Sequence, residues 1–312
     1  MNNELTIKST WIKRFYAWMT ERFPLANGIL FFVLYLTAVA LGRTFIDKDV
    51  QLFQLVDIFG CIASWTFFLI LRIYDEHKDY EIDCENYPDR ILQRGLISLK
   101  DLKIIGAICI VFQFGYSVYL DQGFGLVTLT WILLTIYSLL MAAEFFVGEW
   151  LSKNLILYAV SHMVIMPMII YWFVALGIGK SPFILEINLF ALLSFVSGFA
   201  FEITRKTRPP EEEREKVDSY SKIMGIIGCV TLISALLITI GILGDKLVSL
   251  STFFPFMGRL IYVIAIFIAI LHLIYFSIKP SIKGREINES LVGMAMLSTY
   301  GVLIWALFRG LS

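Results

Sequence analysis

Nine apolar runs leave this chain few ways to fold. They fall at 25–41, 53–73, 102–120, 124–143, 155–176, 182–201, 223–243, 253–278 and 291–308. Each comes close to the about 17–25 residues that a helix needs to cross the hydrocarbon core of a bilayer. No water reaches the backbone there, so a run of this length must satisfy its own hydrogen bonds as helix. The expected fold class is all-α, a polytopic membrane helical bundle of about nine transmembrane helices in one domain over 1–312. Composition agrees, with 58% hydrophobic and only 17% charged residues, against roughly a quarter charged in soluble domains. Only 121–125 separates the third and fourth runs, and the eighth opens on Phe253-Phe254-Pro255.

The formal net charge of +0 conceals a strong sidedness. An odd number of spans puts the termini on opposite sides, and Lys/Arg counts choose between them. Nineteen Lys and Arg fall on the N-terminal side and six on the other, with Arg72 inside a span. The expected placement is a multi-pass protein of the cell membrane with its N-terminus and long loops in the cytoplasm. The segment 1–24 carries Lys8, Lys13, Arg14 and Arg22 and has no small-residue cleavage site, so the first run reads as an anchor. Cys61, Cys84, Cys109 and Cys229 show no C-x-x-C or Cys/His ligand spacing, which supports neither zinc nor a disulfide framework. His77, His162 and His272 are too dispersed for a metal cluster. No nucleic-acid partner is expected.

Two cytoplasmic loops, 75–101 and 204–222, stand out for length and charge. The first begins R-I-Y-D-E-H-K-D-Y-E-I-D at 72–83, placing Asp75, Asp79 and Asp83 four residues apart after the second span. If the helix continues, successive carboxylates drift only about 40° around its axis, and Arg72 shares their stripe. Like charges on one face cost helix stability unless a cation satisfies them. A row of hard oxygens suits Mg²⁺, which is commonly held by one or two carboxylates plus substrate phosphates. The bland alternative is a solvated helix end on which Glu76, Lys78 and Glu81 continue a polar surface. Arg72 argues against it, because an ionisable residue inside a span is costly and usually paired or functional.

The second loop follows the sixth span. Glu202 closes that span, Arg205 and Lys206 follow one turn later, and Pro209-Pro210 must end the helix. Glu211, Glu215 and Asp218 form a further acidic series, although E-E-E-R-E-K is also what an exposed, salt-bridged helix looks like. Elsewhere His162, with Tyr158 and Ser161 nearby, reads first as a helix–helix hydrogen-bond partner. Glu144 abuts the fourth span, and Lys153 precedes the fifth, where it can meet phosphate or lipid head groups.

These residues resemble the UbiA superfamily of intramembrane prenyltransferases over essentially the whole chain. Asp79 and Asp83 fall on the last two aspartates of that family's N-D-x-x-D-x-x-x-D motif, with Asp75 where Asn is usual. Arg90-Ile91-Leu92 with Gly95-Leu96-Ile97-Ser98 is similar to its R-P-[LI]…G-x-[IL]-S segment, and Tyr137-Ser138 to a Tyr-containing patch. The second motif departs from D-x-x-x-D. Counting back from Lys216-Val217, Glu212 takes the place of the last Asp, and Glu202 lies within a residue of the first acidic position. Ile91 and Met141 stand where Pro and Lys are usual, and Arg-Lys-x-Arg-Pro-Pro is an insertion.

The resemblance implies a bundle around a central cavity that binds a polyprenyl diphosphate donor through Mg²⁺. Diphosphate departs, and an aromatic or lipid acceptor, not identified by the sequence, attacks the allylic carbon among membrane lipids. On this reading Asp75, Asp79, Asp83, Glu202 and Glu212 hold metal, while Arg72, Lys153, Arg205 and Lys206 contact diphosphate. Glu144 is a candidate for binding or deprotonating the acceptor. An isoprenoid cyclase of the same fold is the alternative. A CDP-alcohol phosphotransferase lacks its D-G-x-x-A-R…G-x-x-x-D-x-x-x-D pattern here. A secondary transporter would suit the matching places of the two acidic loops, after the second and sixth spans, in the two halves of the bundle, but no Gly/Pro-broken pair of helices marks a midplane site.

Overall fold

The apolar runs become helices arranged in a closed ring. The computed structural model describes residues 5–25, 28–47, 51–214, 217–251 and 256–310. A short helix α1 (Trp11–Arg22) precedes the bundle. The ring then comprises α2 (Gly28–Phe45), α3 (Asp57–Lys78), α5 (Leu99–Asp121), α6 (Leu126–Ala142), α9 (Ile165–Ile178), α10 (Leu185–Arg205), α11 (Tyr220–Ser249), α12 (Phe256–Ile278) and α13 (Ile282–Gly310). Each packs on the next in chain order, and α13 returns to α2. Short helices α4 (Tyr80–Asn86), α7 (Gly148–Ser152) and α8 (Leu155–Met163) lie at the ends of ring helices. Among the described residues the structure is all-helical, with eight helices long and apolar enough to cross a membrane when α8 and α9 are taken together. The fourth expected span, α6, has 17 residues. At 1.5 Å per residue it is about 26 Å long, the lower edge of spanning length.

Three boundaries differ from the sequence expectation for identifiable reasons. The fifth span divides between α8 and α9 at Val164. Pro167 is the cause: its ring collides with the carbonyl of Met163 and it lacks an N–H to bond there. In α11 Gly225 adopts φ 69° and ψ 164°, a conformation essentially confined to glycine, which turns the first residues of that helix. The last helix begins at Ile282, nine residues before the expected 291, so its polar first turns are helix rather than loop. The opening Phe253-Phe254-Pro255 of the eighth span lies outside the described residues, as do Glu215 and Lys216.

Packing in the bundle combines small residues with isolated polar ties. A Cβ at Gly60 of α3 would meet the Tyr35 hydroxyl at 1.9 Å, so only glycine lets α2 and α3 approach there. Gln113 of α5 donates to Thr66 of α3 at 3.0 Å and accepts from Trp131 of α6 at 3.0 Å, linking three helices through one buried amide. At the end of the bundle away from the two acidic loops, Arg43 donates to both oxygens of Asp57 at 2.6 and 2.9 Å. The same guanidinium reaches the carbonyls of Leu52 and Gly177, tying α2, α3 and α9 together.

Inside the ring lies a chamber of about 480 Å³ between α2, α3, α8, α9, α10 and α13. Its walls are mostly Met, Phe, Leu and Gly, with Ser290 and Tyr300, and among the described residues its charged lining residues are Glu202 and Glu289. Both sit at the end of the bundle that carries the acidic loops.

Candidate active site at the mouth of the chamber

The first acidic stripe is divided by the structure into two functions. The helix does not run straight through it, because α3 ends at Lys78 and α4 begins at Tyr80, with Asp79 between at φ −93° and ψ 5°. The hydrogen-bond ladder persists nonetheless, from the Asp79 amide to the Asp75 carbonyl at 2.9 Å and from Asp83 to Asp79 at 2.8 Å. Asp83 turns away into a cluster of arginines, accepting from Arg90 at 2.6 Å and Arg22 at 3.4 Å. Glu76, expected as part of a solvated surface, is 1% exposed and accepts from Arg22 at 2.6 Å and from Arg72. Arg72 is therefore directed chiefly at Glu76 and lies 3.8 Å from Asp75. Three arginines and two carboxylates fasten α1 to the ends of α3 and α4. The anchoring role of Arg22 was not read from the sequence, although its place at the end of α1, directly before the first apolar run, was a signal.

Asp75 and Asp79 remain for the mouth. Asp75 is half-exposed and lies in the electrostatic reach of Lys78, Arg205, Glu202 and Lys206. Asp79 makes no ion pair among the described residues. Burial pushes its carboxyl above the ordinary range; Lys78 and Lys206 pull it back, while Asp75 and Asp83 add to the rise. A group in that position gains from any added cation.

From the other side, α10 delivers Glu202 to the chamber. Its two oxygens are taken separately, by Arg205 at 2.8 Å and Lys206 at 2.7 Å. Tyr158 of α8 joins the halves: its hydroxyl accepts from Lys78 at 2.8 Å, and the Lys78 and Lys206 ammonium groups lie 5.5 and 5.6 Å from its ring centre. His162 stacks on Tyr158 at 3.9 Å, with Nδ1 2.8 Å from the Tyr158 carbonyl and Nε2 buried without a partner. Tyr220, brought in by the bend at Gly225, is wholly buried with an unpartnered hydroxyl in reach of Glu202 and Tyr158. Glu144 lies in a turn of positive φ after α6, 3.7 Å from Lys78, and outside the chamber wall.

Other sequence candidates lie elsewhere. Glu212 accepts from Arg285 of α13 at 2.6 Å. Glu213 accepts from Ser219 and Ser221, where Ser219 also caps α11, so its carboxylate is spent on the loop. Lys153 is exposed at the end of α7 and pairs with none of the described acidic residues. Glu289, which the sequence reading passed over, lines the chamber beside Glu202.

Among the described residues no three carboxylate, His or Cys side chains form a ready-made metal cage. The donor set nevertheless fits Mg²⁺, which is commonly held by one or two carboxylates with substrate phosphates completing its shell. Asp75 and Asp79 are hard oxygen donors at the mouth, Asp79 makes no ion pair among the described residues, and Glu202 beside them has both oxygens on cations.

No protein-family model matches this chain, and no curated protein sequence matches it significantly. Two solved structures do match. One comes from work on the biosynthesis of digeranylgeranylglyceryl phosphate synthase in membranes, with 15% identity over 95% of this chain and 99% of that one and a TM-score of 0.61. The other is the apo structure of a UbiA homolog from Aeropyrum pernix K1, with 14% identity over 87% and 96% and a TM-score of 0.66. Among the described residues, the ring of helices, its chamber and the carboxylates at its mouth thus share the fold of these two solved structures.

Proposed function

We propose that this chain is an intramembrane prenyltransferase that moves a polyprenyl group from its diphosphate to an acceptor, with Mg²⁺ as cofactor. The observation that carries this reading is the junction of two environments. An apolar chamber suited to an isoprenoid has Glu202 in its wall, with Arg205 and Lys206 on that carboxylate and Asp75 and Asp79 in electrostatic reach of those cations. A long hydrocarbon attached to a multiply charged head matches that junction, and the two structural neighbours support it. The site lies on the cytoplasmic side, on the Lys/Arg distribution.

Bound with the donor, Mg²⁺ would neutralise diphosphate and stabilise charge on the departing oxygen. Asp75 and Asp79 are the residues to hold it; Asp83 and Glu212 are engaged with arginines, and Glu202 with Arg205 and Lys206, instead. Lys78, Lys206 and Arg205 face the diphosphate and favour the charge that grows on it as the bond lengthens. The allylic carbon–oxygen bond breaks with its electron pair leaving on diphosphate, and the acceptor forms the new bond and gives up a proton. Met, Phe and Leu walls hold the tail and keep water from the electron-poor carbon.

The test uses purified full chain with radiolabelled geranyl, farnesyl and geranylgeranyl diphosphates, Mg²⁺ and a membrane extract as acceptor source. Diphosphate release with a labelled lipid product is expected. No release with any donor, beside an active control enzyme, sinks the reading, and uptake of a solute into proteoliposomes would favour a transporter.

A further inference from the structure

The chamber carries two carboxylates at its polar end, and they are not equivalent. Glu202 has each oxygen occupied by its own cation, Arg205 on Oε2 and Lys206 on Oε1. Such a carboxylate is neutralised and fixed, suited to organising charge around a donor head group. Glu289 has a single ion-pair partner, Arg285, which holds Oε1. That guanidinium is shared: its Nε lies 2.6 Å from Glu212 and its Nη2 3.9 Å from Glu286. One cation thus serves three carboxylates, and the second oxygen of Glu289 makes no hydrogen bond or ion pair among the described residues. An under-neutralised carboxylate with one free oxygen on a chamber wall is a hydrogen-bond acceptor awaiting a donor.

Its position fits a second substrate. Glu289 stands on α13, whose chamber-facing stripe continues one turn deeper to Gly293 and then to Leu297 and Tyr300. Glu202 has Gly198 one turn deeper on α10. The two helices run in opposite directions, so a glycine lies below each carboxylate. A Cβ at Gly293 would find only the Phe201 ring, at 3.9 Å. At Gly198 a Cβ would meet Met163 and Met166 at 3.1 Å, so the open space lies on the Gly293 side, below Glu289.

Resting on the prenyl-transfer reading, we propose that Glu289 is the general base for the acceptor, and that the acceptor is a neutral hydroxyl compound with an apolar tail. The hydroxyl hydrogen-bonds to the free Glu289 oxygen. As the allylic carbon–oxygen bond of the donor breaks and diphosphate leaves with the electron pair, the hydroxyl oxygen bonds to that carbon and its proton passes to Glu289. An ether and diphosphate result. An anionic group at the Glu289 oxygen is disfavoured, because three carboxylates share Arg285 on that side of the mouth, while the cations Arg205 and Lys206 stand on the Glu202 side. Glu144, the candidate from sequence, does not line the chamber, whereas Glu289 does.

The experiment compares wild type, E289Q and E289D in the full purified chain with Mg²⁺ and geranylgeranyl diphosphate. The acceptor probes are 1-O-octylglycerol and octylphosphonic acid, and binding of a non-reactive geranylgeranyl thiolodiphosphate reports the donor site and the fold. Wild type should convert octylglycerol to its prenyl ether and leave the phosphonate untouched. E289Q should lose about 100-fold or more in ether formation, the usual weight of a positioned base, with analogue binding within about twofold of wild type, and E289D should recover part of the rate. Ether formation by E289Q at the wild-type rate overturns the proposal. So does preference for the phosphonate, absence of product from either probe, or joint loss of analogue binding in both variants. If wild type neither binds the analogue nor releases diphosphate, prenyl transfer itself fails.

Discussion

Arg43–Asp57 and Glu202–Arg205–Lys206 are built from the same chemistry at opposite ends of the bundle. The first is sealed: Arg43 is 2% and Asp57 4% exposed, and the pair is completed by the Leu52 and Gly177 carbonyls and the Gln54 amide. The second faces a chamber, and its carboxylate has two cations where one would suffice for neutrality. A sealed pair holds helices in place, and its worth is the penalty of leaving one charge behind. An open one with surplus positive charge is arranged for an anion that is not part of the chain. The difference separates charge sealed between helices from charge that faces the chamber, in a bundle where both look alike as sequence.

The largest effect should follow from breaking the sealed pair. Asp57→Ala strands a buried guanidinium and should cost about 3–5 kcal/mol, read as a lower denaturation midpoint in detergent, while activity per folded molecule stays near wild type. Glu202→Gln and Lys206→Ala should invert that pattern. Each is expected to lower diphosphate release by about 10²–10³-fold, the scale of losing one preorganised charge-stabilising group, with little change in midpoint. Equal loss of stability in both classes would erase the distinction. Gly225→Ala probes the link between them, since the bend at Gly225 carries Tyr220 to Glu202. Forcing a side chain into that conformation should cost about 1–3 kcal/mol and reduce activity together. The smallest effect should be Lys153→Ala: an exposed cation outside the mouth should alter release by less than about twofold, within the ordinary range of surface changes.

The bundle was legible because span length and apolarity are one-dimensional signals that the bilayer enforces on every helix. What they could not show was which side of a polar helix end meets which neighbour. Asp75, Glu76, Asp79 and Asp83 read as one stripe with a polar flank. In three dimensions Glu76 and Asp83 belong to Arg22, Arg72 and Arg90, partners up to 61 residues away. The break at Asp79 was hidden because the i to i−4 ladder continues across it. Val164 was more accessible, as Pro167 inside an apolar run is a written signal for a break. Glu289 was missed because 282–290 is too polar to count as span. The four-residue interval from Glu289 to Gly293, matched by that from Gly198 to Glu202, was the available hint.

The central claim is that Asp79 and Glu202, on opposite sides of one mouth, jointly hold the diphosphate end of a prenyl donor. Mg²⁺-dependent diphosphate release from labelled geranylgeranyl diphosphate by wild type and Asp79→Ala, compared at equal folded protein, tests it most directly. Release should be abolished in Asp79→Ala while its thermal midpoint stays near that of wild type. A variant that releases diphosphate at the full rate would contradict the account.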